Sequence, residues 1–381
     1  MDDVFSNGVT PRQVASAISN RRLELTILPT EKCNFRCTYC YEDFEIGRMP
    51  SALQSGLIKL VEARASELEE LQLNWFGGEP LLAKSVIFNI AERAFELSRR
   101  HAFALQGGLT TNAYLLDLET LERLVALNQN FFQITLDGWA EGHDSTRRLA
   151  NGRGTFERIW SNLIAAHKSS LEFRIVMRLH ITNDNHASMA RLCAAINSEI
   201  LGDDRFSWDF QDVRDLGGSG GASVDKVEPI DFAAVTALLN GIIQGTKQAD
   251  DPVDMQCASE ANVVKKSESS SGRQLYMLDE AEPYICYASK PNHLLIRADG
   301  RVGKCTVALN DDINTIGSLG KDGRILIDQD KARAWSNGFV DFNIEALGCP
   351  LSRIHSFSRS KQKEVPQRDD VGSRSIELEM V

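Results

Sequence analysis

A chain of 381 residues is long enough for two or three packed units, and 43% hydrophobic with 25% charged residues is the balance of a globular protein in water. The net charge of −11, from 42 basic and 53 acidic residues, argues against a general nucleic-acid partner. No run of about 18 apolar residues is present to span a membrane. The start, MDDVFSNGVTPRQ, has neither a basic segment nor an apolar core, so a cytoplasmic protein is expected. Its eight cysteines then read as metal ligands or free thiols, not disulfides.

An N-terminal extension covers 1–22. From 23 to 215, short apolar runs alternate with longer stretches of helical period. Strands are expected at LELTILP (23–29), LQLNWFG (71–77), GGLTTN (107–112), FFQITLDG (131–138), FRIVMRLHI (173–181) and FSWDFQDV (206–213). Helical patterns lie between them, at 51–70, 84–102 and 186–201. Repeated βα units imply a parallel sheet, and six strands are too few for a closed eight-stranded barrel, so an open, partial barrel is expected. The region 216–283 reads as a linker: LGGSGGAS (216–223), an amphipathic helix at 230–245 and a polar loop at 265–274. A second cysteine-bearing unit spans 284–351, and a polar tail, expected to be partly disordered, runs over 352–381.

The run CNFRCTYCYE places Cys33, Cys37 and Cys40 directly after the first strand. Three thiolates spaced CxxxCxxC on one loop can ligate three irons of a [4Fe–4S] cluster and leave the fourth iron open for a substrate. A zinc site would need a fourth ligand nearby, and none follows at the usual spacing. The second strand ends in FGGEP, where Gly77 and Gly78 allow close backbone approach and Glu79 offers a carboxylate, or else a solvated turn. Thr111, Asn112, Thr135, Asp137 and Arg147 stand at or just past later strand ends, the face that carries chemistry in such folds. Asp137 can equally cap a helix, and Thr111 and Asn112 can equally form a turn. His143, His180 and His186 make no metal spacing and read as surface or satisfied core residues. Cys193, on an apolar helix face, reads as a small buried hydrophobe.

The CxxxCxxC loop with its Tyr39-Cys40 pair, followed by FGGEP, resembles the radical S-adenosylmethionine (SAM) superfamily. That resemblance implies a partial (β/α)6 TIM-type barrel. It also implies that SAM is chelated at the open iron and cleaved to a 5′-deoxyadenosyl radical. It places Gly77, Gly78 and Glu79 at the SAM amino group and Tyr39 beside the adenine, although a core aromatic is the other reading of Tyr39. Thr111, Asn112, Thr135, Asp137 and Arg147 fall at positions for the ribose, the methionine carboxylate and the substrate. The segment CYASKPNHLLIRADGRVGKC, with thirteen residues from Cys286 to Gly300 and four more to Cys305, resembles the opening of the SPASM and shorter twitch domains. Those domains hold auxiliary iron–sulfur clusters. The late CxxC run of full SPASM domains is missing after Cys349, so one auxiliary [4Fe–4S] cluster is expected, with Cys286, Cys305 and Cys349 as ligands. Cys257 is a fourth ligand, or the fourth iron is open and Cys257 is a buried neutral thiol.

Enzymes of this build mostly modify ribosomally made peptides. The expectation is therefore a peptide maturase that takes hydrogen from a precursor peptide, forms an intrapeptide crosslink, and draws electrons from a flavodoxin or ferredoxin. The alternatives are a sulfatase-maturating enzyme that makes formylglycine and a twitch-type dehydrogenase or epimerase of a sugar-like substrate. A non-enzymatic iron–sulfur carrier would leave the GGEP motif without a purpose.

Overall fold

Alternation of strand and helix runs from Arg22 to Asp212 in a computed structural model that describes residues 9–213, 216, 229–248, 284–351, 353–354 and 376–377. Cys257, the polar loop 265–274 and nearly all of 217–228 and 355–381 lie outside the described residues. The strands in chain order are β1 (Arg22–Ile27), β2 (Phe35–Cys37), β3 (Glu70–Trp75), β4 (Ala104–Thr111), β5 (Gln129–Leu136), β6 (Arg147–Leu149), β7 (Arg174–Ile181) and β8 (Phe206–Asp212). They are followed by β9 (His293–Ile296), β10 (Arg301–Gly303), β11 (Gly317–Leu319), β12 (Ile325–Ile327) and β13 (Ile376–Glu377). The helices used below are α1 (Pro11–Ile18), α2 (Ser51–Arg64), α3 (Lys84–His101), α4 (Leu118–Ala126), α5 (Glu141–Thr146), α6 (Phe156–Lys168), α7 (His186–Glu199) and α8 (Pro229–Ile243).

The six expected strands form one parallel set in the order β1-β3-β4-β5-β7-β8. This is the partial barrel. Two boundaries differ from the pattern in the sequence. β4 begins at Ala104, because Ala104–Gln106 pair with Glu70–Gln72 of β3. The second helix stops at Arg64, because Glu70 is taken up by pairing with Arg22 and Glu69 donates to the Arg21 carbonyl.

Period-2 alternation divides each strand between two environments. Leu25, Ile27, Leu71, Leu73, Trp75, Phe132, Ile134, Leu136, Met177 and Leu179 are buried under the helices. α3 answers with Val86, Ile87, Ile90, Ala91, Ala94 and Leu97, one apolar stripe at helical spacing. Each such Leu or Ile stabilises the fold by about 1.5–3 kcal/mol. The opposite strand faces are polar and turn inward: Glu24, Thr26, Asn74, Gln133, Arg178, Asp209 and Gln211 line the barrel lumen.

β9 pairs in parallel with β1, matching Glu24 with His293 and Ile27 with Ile296. From there β10, β11, β12 and β13 add antiparallel strands, so the second cysteine-bearing region continues the barrel sheet across one edge. α1, opened by a Thr10/Gln13 capping box, packs Val14 and Ala17 against Ile285 and Leu347 beneath that region. α8, expected as a bridging helix, lies on the barrel: Asn197 donates to the Ile243 carbonyl and Trp208 Nε1 to Asn240. Among the described residues, no helix is long and apolar enough to cross a membrane.

Candidate active site

The loop after β1 is held from both sides. Phe35, 1% exposed, anchors it in the core, and β2 pairs with β6 in a two-stranded ribbon that sets Cys37 opposite Arg147. Cys33, Cys37 and Cys40 are all half-buried. The Phe35 N–H donates to Cys33 Sγ at 3.3 Å. Burial pushes the Cys33 thiol up to about 12 and Cys40 up to about 11, each raised further by its sulfur neighbours. Burial raises Cys37 too, against the pull of Arg147. The thiols are thus close enough to sense one another. Yet among the described residues no three His, Cys, Asp or Glu side chains converge tightly enough for a single metal ion. Three thiols on one loop suit a multi-iron cluster, whose irons are ligated one thiolate each.

The GGEP segment lies against this loop. A Cβ on Gly77, at φ +113°, would stand 2.2 Å from the Thr30 carbonyl oxygen, and one on Gly78 would stand 2.7 Å from that of Glu31. The close approach that the glycines permit is therefore to the chain's own backbone at 30–32, where the Glu79 N–H also donates to the Lys32 carbonyl. Glu79 is not a solvated turn residue: it is fully buried. Its carboxylate accepts from Leu81 N at 2.9 Å, Thr111 Oγ1 at 2.7 Å and Asn112 N at 2.7 Å. Burial raises its pKa, opposed by these bonds. A carboxylate has about four acceptor positions, and three are taken here. Asn112 also donates to Asn34 at 2.8 Å, tying the end of β4 to the cysteine loop.

A second network joins four elements. Tyr39 Oη donates to Asp137 at 2.8 Å and accepts from Arg147 Nη1 at 2.7 Å. Thr146 Oγ1 donates to Asp137 at 2.6 Å, and His180 Nδ1 lies 3.2 Å from Tyr39 Oη and 3.4 Å from Asp137 Oδ1. Burial alone would raise the Asp137 pKa, but the bond to His180 and the charge of Arg147 hold it well below the usual carboxylate range. Asp137 caps no helix here: α5 begins without a side-chain cap. Arg147 is 8% exposed, lies 5.9 Å from the Phe35 ring centroid and keeps a buried Nε with no hydrogen-bond partner. Thr135 stands two residues past Gln133 on the lumen face of β5, beside Arg178 in register.

The lumen opens into a cavity of about 260 Å³ between the barrel strands and Tyr284, Tyr287 and Thr306 of the second cysteine-bearing region. Those three residues flank Cys286 and Cys305 in the chain. The Cys286 N–H donates to the Leu347 carbonyl at 2.8 Å, which draws the helical turn Ile344–Gly348, and with it Cys349, toward the β9–β10 hairpin. Cys286 senses both Cys305 and Cys349, and burial pushes it up to about 11. The three thiols expected to hold an auxiliary cluster are thus brought together. The two cysteine sets are also tied: Arg297 forks onto Glu31 at 2.6 and 3.0 Å, both nearly out of solvent, and Asn310 donates to Asp43 at 2.7 Å.

The sequence pattern did not reveal His180 or His143 as members of this site. His143 is fully buried, its Nδ1 accepting from Asp137 N at 3.3 Å while Nε2 has no hydrogen-bond partner. A usable signal existed for His180: it shares strand parity with Arg178, on the side opposite the buried Met177, Leu179 and Ile181. Cys193 is 0% exposed, as expected of a small hydrophobe.

The six-stranded parallel half-barrel thus carries the CxxxCxxC loop after its first strand and the GGEP segment after the next strand of the set. Residues 27–193 match the family described as the Radical SAM superfamily. Proteins of that superfamily work with a [4Fe–4S] cluster and SAM. Among curated proteins, the chain is 25% identical over 163 residues to the serine-type anaerobic sulfatase-maturating enzyme of Klebsiella aerogenes, covering 41% of this chain and 39% of that one. It is 30% identical over 152 residues to the GTP 3′,8-cyclase of Gloeobacter violaceus (38% and 43%), and 29% over 113 residues to the PqqA peptide cyclase of Bradyrhizobium diazoefficiens (30% and 28%). The chain spans less than half the length of these curated relatives. In fold it is similar to native anSMEcpe with bound AdoMet and Cp18Cys peptide, at 21% identity and TM-score 0.53, covering 82% of this chain and 80% of that one. It is also similar to Streptococcus suis SuiB bound to the precursor peptide SuiA, at 14% identity and TM-score 0.51, covering 76% and 61%.

Proposed function

We propose that the protein is a radical SAM peptide maturase that acts on a residue held in the cavity between its barrel strands and the second cysteine-bearing region. The observation that carries this reading is the position of that cavity, walled by barrel strands on one side and by Tyr284, Tyr287 and Thr306 on the other. The peptide-bound states of the similar solved structures support a peptide as substrate. When bound, a [4Fe–4S] cluster and SAM supply a 5′-deoxyadenosyl radical that abstracts hydrogen.

Cys33, Cys37 and Cys40 would hold that cluster. Glu79 would use its remaining acceptor position for the SAM ammonium, while Thr111 and Asn112 fix the carboxylate. Arg147, with its unpartnered buried Nε, would take the methionine carboxylate; an Arg fork suits such an anion. Tyr39 and Thr135 would border the adenosine. Cys286, Cys305 and Cys349 would hold one auxiliary cluster, and a flavodoxin or ferredoxin would deliver electrons. The reaction expected on the peptide is an intrapeptide crosslink.

A second reading is favoured by the serine- and cysteine-type sulfatase-maturating enzymes among the relatives: oxidation of a Ser or Cys side chain to formylglycine. One experiment separates them. The full chain is reconstituted anaerobically and incubated with SAM, a reductant and short peptides, including those encoded beside its gene and ones bearing Ser or Cys. A crosslink removes two hydrogens and blocks fragmentation between the joined residues. Formylglycine gives an aldehyde that hydrazide reagents capture. If SAM is cleaved but no peptide changes mass, the peptide reading fails.

A further inference from the structure

We infer that His180 is a positioning residue: through Tyr39 and Asp137 it holds the Arg147 guanidinium in place beside Cys37. The inference rests on the reading above that Arg147 receives the SAM carboxylate. Four side chains from four separate elements meet here. Tyr39 comes from the cysteine loop, Asp137 from the end of β5, Arg147 from β6 and His180 from β7.

The Tyr39 hydroxyl is the hub. It has one proton, which goes to Asp137, and it accepts from Arg147 Nη1. A phenolic O–H stays near the ring plane but can turn to either side, so it orders its partners only when its direction is set. His180 sets it. Its Nδ1 lies between the Tyr39 oxygen and Asp137 Oδ1, at 3.2 and 3.4 Å, and its ring meets the Tyr39 ring edge-on at 5.5 Å. A lone pair on Nδ1 would face the Asp137 carboxylate, so the ring carries its proton at Nδ1 and donates to the pair. Burial favours the uncharged ring, which keeps one proton for this position. The backbone beneath is fixed separately: Asn185 Nδ2 donates to the carbonyls of both Asp137 and His180, at 2.9 and 2.8 Å. The strand ends therefore stay in register when the imidazole is changed, and its loss falls on the direction of Tyr39 and Arg147. Such outer partners tune the groups that touch a ligand even though they do not reach it.

The test uses side chains that differ in reach. Asn places its amide nitrogen where His has Nδ1, whereas Gln places it one bond farther out. SAM dissociation constants are measured by equilibrium dialysis on anaerobically reconstituted full chain, with iron content determined in parallel. His180→Ala and His180→Gln are expected to bind SAM about tenfold more weakly at unchanged iron content, and His180→Asn to lie within about threefold of the parent. The KM for SAM should follow while kcat for SAM cleavage stays close to the parent value. Arg147→Ala is measured alongside. If it leaves the SAM affinity unchanged, Arg147 is not at the cofactor, and the underlying reading falls together with the inference. If Arg147→Ala weakens binding but His180→Ala and His180→Gln do not, the positioning role alone is wrong. Equal weakening in all three His180 variants would overturn it too, because ring packing and not the Nδ1 proton would then be responsible.

Discussion

Glu79 combines full burial with three hydrogen bonds, two of them from the end of β4. Its replacement therefore has two consequences. Glu79→Ala leaves the Leu81 and Asn112 N–H groups and the Thr111 hydroxyl without their acceptor, at about 1–3 kcal/mol for each donor that water cannot reach. The melting temperature should fall by several degrees, and SAM affinity about ten- to hundredfold, while iron binding survives because Glu79 is not a ligand. A parental melting temperature with weakened SAM binding would mean the hydrogen bonds are dispensable. His143 gives a pH prediction. Burial lowers its pKa to about 4 from the usual range near 6.5, so the native state holds the ring neutral. A depressed pKa contributes stability that is present above about 6.5 and is lost as pH falls toward 4. His143→Asn keeps an acceptor for Asp137 N but does not titrate. Thermal melts from pH 7 to pH 4 should show a shallower acid loss in that variant than in the parent.

At the scale of elements, one buried contact that joins the two cysteine-bearing segments is the Arg297–Glu31 fork. Both side chains are 3% exposed, so removing one leaves a buried, uncompensated charge. Arg297→Ala should destabilise the protein by about 3–5 kcal/mol, whereas replacing both residues with Met should recover most of that loss. Denaturant titrations of the single and double variants decide this; equal losses in both would show that the pair packs rather than neutralises. The strand pattern itself was readable because β3, β5 and β7 each alternate between a helix-covered face and a polar lumen. The helix ends were less readable. α2 stops at Arg64 because the residues after it are drawn into pairing with Arg21 and Arg22, a long-range competition that local pattern does not contain.

For the whole molecule, one cluster on each of the two thiol sets, as proposed, should give roughly eight irons per reconstituted chain. Replacing Cys33, Cys37 and Cys40 together by Ala should leave about four irons and abolish SAM cleavage. Cys286→Ala/Cys305→Ala should also leave about four, yet still release 5′-deoxyadenosine without modifying the peptide. A folded double variant that makes full product would reduce the C-terminal region to a structural cover. The sheet adds a prediction about autonomy. Because β9 pairs with β1, a chain ending after residue 248 exposes the Glu24–Ile27 edge of β1 and the apolar side chains beside it. That fragment should aggregate; a monomeric, cooperatively melting fragment on size-exclusion chromatography would contradict the shared sheet.

What the sequence determined by itself was the chemistry of short segments. Ligand spacing in CxxxCxxC, the GGEP run and the strand–helix alternation are local, because thiolate reach and side-chain parity depend only on nearby residues. Tertiary structure alone decided what those segments face. It turned the glycines at 77 and 78 toward the backbone at 30–32, sank Glu79 among donors from β4, and joined the second cysteine set to the barrel through β1. It also brought His180 to Tyr39 across 141 positions of chain. Each of these is a contact between residues far apart in sequence, fixed by the register of packed strands and invisible until the sheet closes around it.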